Sequence, residues 1–176
     1  MPAYRYYYEG TLLPNDEVVI EGPEVHHMRS VMRGALGDTV EVVNGKGYLA
    51  VGSIVDVKKN KATIAIESVE RKEKEKGALI LAQAMPRANR LDTILEKATE
   101  LGVTKIRLFP GERSEQKEVR ENRISRIKLL LVSAMKQCGR LYLPEWEVKP
   151  ALKQWKEVSE VGFFGDVAEK GAFLYE

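Results

Sequence analysis

Two hydrophobic patterns meet at one charged run in this chain, and their contrast limits the fold more than any other feature. Residues 71–76 are six consecutive charged side chains followed by Gly77, a composition typical of a solvated linker. Before this run, short apolar or alternating segments separated by turn residues predict β-strands. After it, apolar strands alternate with helical periods, which predicts a parallel α/β sheet. We therefore expect two domains, 1–70 and 78–176, joined by a linker over 71–77.

The segment before the linker predicts a compact, barrel-like β module. A strand over 38–44 ends in an Asn-Gly pair, which readily adopts the positive backbone angles of a tight hairpin. The return strand is expected over 47–55 and a further strand over 62–66, whereas only 23–33 has a helical pattern. The segment after the linker predicts three strands and three helices, in the order 78–82, helix 89–101, 105–109, helix 121–137, helix 151–158 and 161–165.

Composition excludes several classes of protein. With 44% hydrophobic and 31% charged residues, the chain lacks an apolar run long enough to cross a bilayer. Its start lacks the pattern of a secretory signal, and the single Cys138 cannot form an internal disulfide. Because the only histidines, His26 and His27, are adjacent and distant in sequence from Cys138, we expect no metal site. Glycine-rich phosphate loops and nucleophile elbows are also missing. We expect a cytoplasmic protein.

The charge is divided unevenly along the chain, although the net charge is only +2. Residues 1–70 carry seven Lys or Arg and ten Asp or Glu, a net charge of −3, and residues 71–176 carry twenty-one and sixteen, a net charge of +5. Much of the positive charge falls between Arg113 and Arg140. This segment is the best electrostatic candidate for contacts with nucleic-acid phosphates.

Two pairs of charged residues lie at helical spacing. Arg29 and Arg33 are four residues apart, so they can contact successive phosphates from one helix face, or simply form a solvated basic face. Lys97 and Glu100 are three residues apart and can face a ligand together or form an ordinary surface ion pair. A negative charge near a helix C-terminus is unfavourable. Glu100 is therefore a candidate functional residue.

Further candidates lie at the ends of predicted elements. Arg113 and Ser114 follow a predicted strand, where open parallel sheets bind ligands. Gln137 ends the second helix and can contact a base edge, and Arg140 just after it suits the helix dipole without any ligand. Arg5 lies among N-terminal tyrosines that we expect to pack into a core, and it is the phosphate-binding exception among them.

Together these motifs resemble one family. Six sequence runs carry the resemblance, and they are 5–7 (Arg-Tyr-Tyr), 26–33 (His-His-Met-Arg-Ser-Val-Met-Arg), 83–86 (Gln-Ala-Met-Pro), 96–103 (Glu-Lys-Ala-Thr-Glu-Leu-Gly-Val), 112–114 (Glu-Arg-Ser) and 137–140 (Gln-Cys-Gly-Arg). In this order they closely resemble the bacterial 16S ribosomal RNA methyltransferases that modify a uridine at N-3. The resemblance covers nearly the whole chain. It implies the SPOUT superfamily, with an N-terminal PUA-like β-barrel and a C-terminal α/β methyltransferase domain tied into a trefoil knot. It also implies a homodimer, S-adenosylmethionine as methyl donor, and 16S rRNA in the small ribosomal subunit as substrate.

Uridine N-3 carries a proton, so methylation needs a base or a cationic environment that stabilises the uridinate. On motif position and charge, the predicted catalytic residues are Glu100, Arg113 and Arg140. The predicted RNA-binding residues are Arg5, Arg29, Arg33, Lys97, Ser114 and Gln137.

The C-terminal end departs from the family pattern. The Gly-Pro-Glu-Gly-Gly-like loop and the Leu-Arg-x-Glu-Thr-Ala-like stretch that build the donor pocket are not found before Glu176. We therefore expect a fragment of such an enzyme, with its donor-binding residues unassigned. The alternatives are an RNA-binding protein or assembly factor without catalysis, and a methyltransferase of related fold that acts on transfer RNA.

Overall fold

A computed structural model describes residues 4–26, 28–29, 34–74, 76–86, 88–111, 121–156 and 161–163. The strands within this part of the chain are β1 Arg5–Tyr7, β2 Glu17–Glu21, β3 Thr39–Val43, β4 Tyr48–Val57, β5 Lys61–Arg71, β6 Ile80–Ala84, β7 Lys105–Phe109 and β8 Glu145–Val148. The helices are α1 Pro23–His26, α2 Ala88–Glu100 and α3 Glu121–Gln137, with a 3-10 turn at Leu152–Gln154. None of these helices is both long and apolar enough to span a membrane.

The first five strands form one curled sheet, here called the barrel sheet, in the order β1-β3-β4-β5-β2. Only β1 and β3 are parallel, and the other neighbours are antiparallel. Register shifts in the long β4–β5 pair increase the local bend and twist of the sheet. Alternate side chains fill its core because successive residues of a strand point to opposite faces. The buried members include Tyr6, Ile20, Val42, Ile54 and Ile64.

The expected hairpin forms between β3 and β4, but its turn is wider than the tight turn expected at the Asn-Gly pair. A four-residue loop, 44–47, joins β3 to β4, and its positive φ angles are those of Gly45 (71°) and Gly47 (90°). Asn44 is buried, and its Oδ1 accepts hydrogen bonds from the backbone N–H groups of Lys46 (2.9 Å) and Tyr48 (3.4 Å). The side chain of Asn44 therefore organises a wider loop in place of a two-residue turn.

The remaining strands form the parallel sheet, in the order β6-β7-β8. Helices α2 and α3 pack on each other and on β7 through an apolar core that includes Leu91, Leu95, Ile106, Leu108 and Ile127. Helix α2 ends at the expected glycine: Gly102 has a φ of 93°, a conformation that L side chains rarely adopt. The alternation of strand and helix thus gives the parallel arrangement that the sequence predicts.

The third strand of the parallel sheet differs from the expectation. It is β8, whereas 161–163 carry no strand and the rest of the expected segment lies outside the described residues. Only the 3-10 turn forms in the described part of the expected helix 151–158. Strand β8 does not have the apolar run that predicts a buried strand, because it contains Glu145 and Glu147. These two carboxylates lie opposite Lys105 and Arg107 of β7. Glu147 bonds to both partners, at 3.2 Å and 3.1 Å.

The expected linker is hydrogen-bonded in its described part. Strand β5 extends through Arg71, the backbone N–H of Lys72 donates to the carbonyl of Gly47 (2.9 Å), and the carbonyl of Lys72 accepts from Tyr142 Oη (2.8 Å). The limits that we assign to the two domains stay a prediction. What the structure describes is a barrel sheet and a parallel sheet that contact each other through this region.

Candidate functional site

A cleft of about 330 Å³ lies where the barrel sheet meets the parallel sheet. Its walls come from β1, the chain that follows β5, the turn after α3, and the segments that lead into β7 and β8. Its charged lining residues are the cations Arg5, Lys72, Lys74 and Arg140 and one carboxylate, Glu73. The cleft is therefore suited to an anion.

Arg5 is held by its neighbour on the barrel sheet. It lies in register with Glu41 of β3, and the Glu41 carboxylate accepts from Nε at 2.8 Å and pairs with Nη2 at 2.7 Å. The Arg5 side chain is only 10% exposed. Its remaining nitrogen, Nη1, is buried and has no hydrogen-bond partner among the described residues. A buried donor without an acceptor is rare and costly.

Arg140 lies in the turn that ends α3. Gly139 has a φ of 79°, and the backbone N–H of Arg140 donates to the Met135 carbonyl at 3.1 Å, which closes the helix C-terminus. The Arg140 guanidinium lies against Gly102: a Cβ at Gly102 would be 2.7 Å from Nη1. The described residues give this guanidinium no hydrogen bond or ion pair. Two sequence runs, 96–103 and 137–140, are thereby brought together.

Lys97 and Glu100 form the surface ion pair that their spacing allows. Lys97 Nζ lies 2.9 Å and 3.0 Å from the two carboxylate oxygens of Glu100, and 3.3 Å from a carboxylate oxygen of Glu96. The hydrogen bond that Lys97 donates to Glu100, followed by the one that it donates to Glu96, raises the pKa of Lys97. The cation compensates the negative charge of Glu100 at the end of α2. A contact of either residue with a ligand stays a prediction.

The other predicted site residues lie apart from the cleft or outside the described residues. Arg29 is exposed, and its Nη1 donates to the Lys59 carbonyl at 3.1 Å. Gln137 is exposed at the end of α3 and is not among the cleft lining. Outside the described residues lie Arg33, Arg113 and Ser114.

The two edges of the parallel sheet carry different groups. Arg140, Gly102 and the cleft lie at the amino edge, next to the starts of β7 and β8. At the carboxyl edge, where open parallel sheets bind ligands, the rings of Phe109 and Trp155 pack edge to face with centroids 5.3 Å apart. Lys149 Nζ lies 5.8 Å from the Trp155 ring centroid. The predicted site residues are therefore not all gathered in one place.

Three residues of the cleft region were not singled out from the sequence. Lys72 and Lys74 belong to the charged run, where composition indicates only solvation, and Glu41 is a charged residue on the outward face of an alternating strand. Neither pattern signals a site, because both are ordinary on a protein surface.

Among the described residues, no group of three or more His, Cys, Asp or Glu side chains could hold a metal ion.

Both parts of the chain match known families. Residues 72–168 match the RNA methyltransferase domain and residues 20–67 match the RNA methyltransferase PUA domain. No protein with curated annotation matches the chain.

Three solved structures illustrate the similarity. A predicted RNA methyltransferase from Thermotoga maritima is 32% identical, with a TM-score of 0.74 over 88% of this chain and 68% of that one. A putative methyltransferase from Legionella pneumophila, in complex with S-adenosylmethionine, is 28% identical, with a TM-score of 0.78 over 85% and 64%. Ribosomal RNA small subunit methyltransferase E from Neisseria gonorrhoeae, bound to S-adenosylmethionine, is 27% identical, with a TM-score of 0.73 over 85% and 62%. The present chain thus spans about two thirds of the length of each.

These similarities confirm the predicted fold class, a PUA-like domain followed by an α/β methyltransferase domain, although they do not test the knot. The match over 72–168 takes in more than half of the 176 residues, and the Thermotoga maritima structure is similar over both sheets. The chain belongs to the RNA methyltransferase family.

Proposed function

We propose that this chain belongs to an enzyme that methylates N-3 of a specific uridine in the 16S rRNA of the small ribosomal subunit. The observation that carries the proposal is the match of 72–168 to the RNA methyltransferase domain. Two further observations support 16S rRNA and uridine N-3 as the specific substrate. The Neisseria gonorrhoeae relative is a ribosomal RNA small subunit methyltransferase, and the combination of motifs between 83 and 140 resembles the uridine-N3 enzymes.

S-adenosylmethionine is the proposed methyl donor, as in the two relatives that were crystallised with it. The carboxyl edge of the parallel sheet fits the apolar part of such a molecule, because Phe109 and Trp155 offer aromatic surface for an adenine there. When bound, the donor would supply an electrophilic methyl group.

The protein's own task is to present uridine N-3 and to manage its proton. The base must be unstacked before N-3 can be reached, and loss of its proton leaves a negative charge that a guanidinium stabilises. Arg113, just after β7 in sequence, is the proposed guanidinium. For Glu100 the role of proton acceptor or orienting group stays a prediction, because Glu100 ends α2 next to the amino edge of the parallel sheet. For Arg140, too, the catalytic role stays a prediction, and its position in the same cleft as Arg5 favours an RNA contact.

RNA binding is proposed for six residues, which are Arg5, Arg29, Arg33, Lys97, Ser114 and Gln137. The exposure of Arg29, Lys97 and Gln137 supports this role, since each can reach a phosphate or a base edge. The resemblance also leads us to propose a cytoplasmic homodimer that acts during ribosome biogenesis.

The test is transfer of a labelled methyl group from S-adenosylmethionine to small subunits isolated from cells that lack the modification. We expect label in 16S rRNA, recovered as N3-methyluridine after digestion to nucleosides and mass spectrometry. Label in transfer RNA alone would contradict the substrate and support the related transfer-RNA enzymes. RNA binding by the protein without any methyl transfer would support the non-catalytic alternative.

A further inference from the structure

We propose that the cleft between the barrel sheet and the parallel sheet binds one backbone phosphate of the RNA substrate, with Arg5 and Arg140 as its two principal ligands. The proposal deepens the proposed function and rests on it, because the phosphate is taken to belong to the RNA. It assigns a binding site to the amino edge of the parallel sheet, whereas the methyl donor is proposed to bind at the carboxyl edge.

The charge of the cleft is the first argument. Glu41 compensates Arg5, and Glu145 lies 3.7 Å from Lys74. The side chains of Arg140 and Lys72, in contrast, have no ion pair within the described part of the chain, and Glu73 is the one carboxylate among the cleft lining. Cations that line a concave surface without partners raise the local concentration of anions.

The unpartnered donor of Arg5 is the second argument. The side chain is 90% buried, yet Nη1 has no acceptor among the described residues. It lies near the Gly139 turn, since a Cβ added at Gly139 would be 3.9 Å from it. A phosphate oxygen that enters the cleft, with a small displacement of the Gly139 turn, supplies the missing acceptor. Such a charge-assisted bond is stronger than one between neutral groups.

Two arginines from different parts of the fold line this one cleft. Arg5 comes from β1 and Arg140 from the turn after α3. The guanidinium of Arg140 lies against Gly102, where a side chain would overlap it. The planar fork of arginine matches the geometry of a phosphate. A phosphate held by both would fix the RNA against the two sheets at once. Strand β7 has five residues and spans roughly 15 Å, which separates this phosphate from the carboxyl edge.

The experiment measures binding of a fluorescein-labelled oligouridylate of about 16 nucleotides by fluorescence anisotropy at several salt concentrations. We expect R5Q and R140Q each to weaken binding about tenfold. The double variant should bind more tightly than independent losses predict, because each arginine depends on the same phosphate. The slope of log K against log salt should fall by about 0.7 in the double variant, the value for one phosphate of a single strand. Independent losses, with a fall in this slope of about 1.4 in the double variant, would overturn a shared phosphate.

Two variants serve as controls. Lys58 is exposed, pairs with Asp56 at 3.0 Å and lies in the turn between β4 and β5, so K58Q removes the same charge away from the cleft. We expect it to change binding less than twofold. E41Q removes the counter-ion of Arg5 and should tighten binding, which a purely structural Arg5 would not produce. Equal weakening by K58Q and R140Q would overturn the site.

The outcomes separate this proposal from the proposed function. Wild-type protein that binds no RNA would count against the proposed function and the cleft together. Wild-type binding that R5Q and R140Q leave unchanged, with melting temperatures intact, would overturn the cleft alone. If R140Q lowers kcat without changing RNA affinity, the catalytic prediction for Arg140 stands and the phosphate role is wrong.

Discussion

Two different kinds of contact join the barrel sheet to the parallel sheet. In the first, the loop 44–47 pairs with the chain before β8: the N–H of Gly47 donates to Leu141, and that of Leu143 donates to Gly45, both at 2.9 Å. In the second, two lysines of α3 form ion pairs with carboxylates of the N-terminal part of the chain. Lys128 pairs with Glu9 at 2.8 Å and Lys136 with Glu24 at 2.6 Å.

The difference between the two contacts is a difference in what they cost to form. The loop contact is made by backbone groups, and the loop 44–47 is held by β3 and β4 on either side, so little side-chain entropy is lost. Exposed ion pairs lose that entropy and are screened by salt, and they contribute little. The Glu24–Lys136 pair should stabilise the fold more than an exposed pair does. Its side chains are only 19% and 15% exposed, and Glu24 also accepts a hydrogen bond from the Tyr7 N–H. We infer that the loop contact determines how the sheets meet beside the cleft.

The largest expected effect comes from breaking the loop contact at Gly47. Its φ is 90°, and a Cβ there would overlap Tyr142 Oη and lie 2.8 Å from the carbonyl of Lys72. G47A should therefore lower the free energy of unfolding by about 3 kcal/mol or more, since backbone strain and steric overlap add. Urea denaturation measures this loss.

Gly37 supplies the matched control for that change. Its φ is 87°, but nothing lies within 4 Å of an added Cβ. G37A should then cost only the backbone strain, about 1 kcal/mol. Equal losses in the two variants would show that the loop contact adds nothing to stability.

The next effect separates the two ion pairs. E24A leaves Lys136 partly buried without its carboxylate and the Tyr7 N–H without its acceptor, and should cost about 2 kcal/mol. E9A removes the exposed partner of Lys128 and should cost less than about 1 kcal/mol. The comparison uses thermal melts at low and high salt. If E9A proves as costly as E24A, burial is not what distinguishes the pairs.

The smallest effect at neutral pH is expected from Y6F. Tyr6 is fully buried and its hydroxyl has no partner among the described residues, so its removal should change stability by less than about 1 kcal/mol. Burial, and then the charge of Glu24, raises the pKa of Tyr6 to about 12.

Alkaline titration makes the same residue informative. Because the pKa of Tyr6 is raised in the folded state, its contribution is fully present below the unfolded pKa of about 10 and is lost as pH rises toward 12. Wild-type stability should fall by about 1.4 kcal/mol per pH unit more steeply than that of Y6F in this window. Identical alkaline slopes in urea titrations would contradict the shift.

Much of the fold could be predicted from local patterns, and the failures have identifiable causes. Helix α3 spans the predicted 121–137 because its apolar stripe and the glycine after it act locally. Strand β8 was missed because its carboxylates are stabilised by cations on a neighbouring strand, which no local pattern reveals. For the candidate site, motif order indicated Arg5 and Arg140 separately. It gave no sign that they line one cleft with Lys72.

By itself, the sequence determined the family, the change from an antiparallel barrel to a parallel α/β sheet, and most of the helices and strands. These follow from periodicity, glycine positions and motif order, which are properties of short segments. Only the tertiary structure decided that loop 44–47 contacts the chain before β8, that Glu41 compensates Arg5, and that Arg140 lies at the amino edge of the parallel sheet. Such contacts join residues up to about a hundred positions apart, and their formation depends on packing that local sequence does not encode.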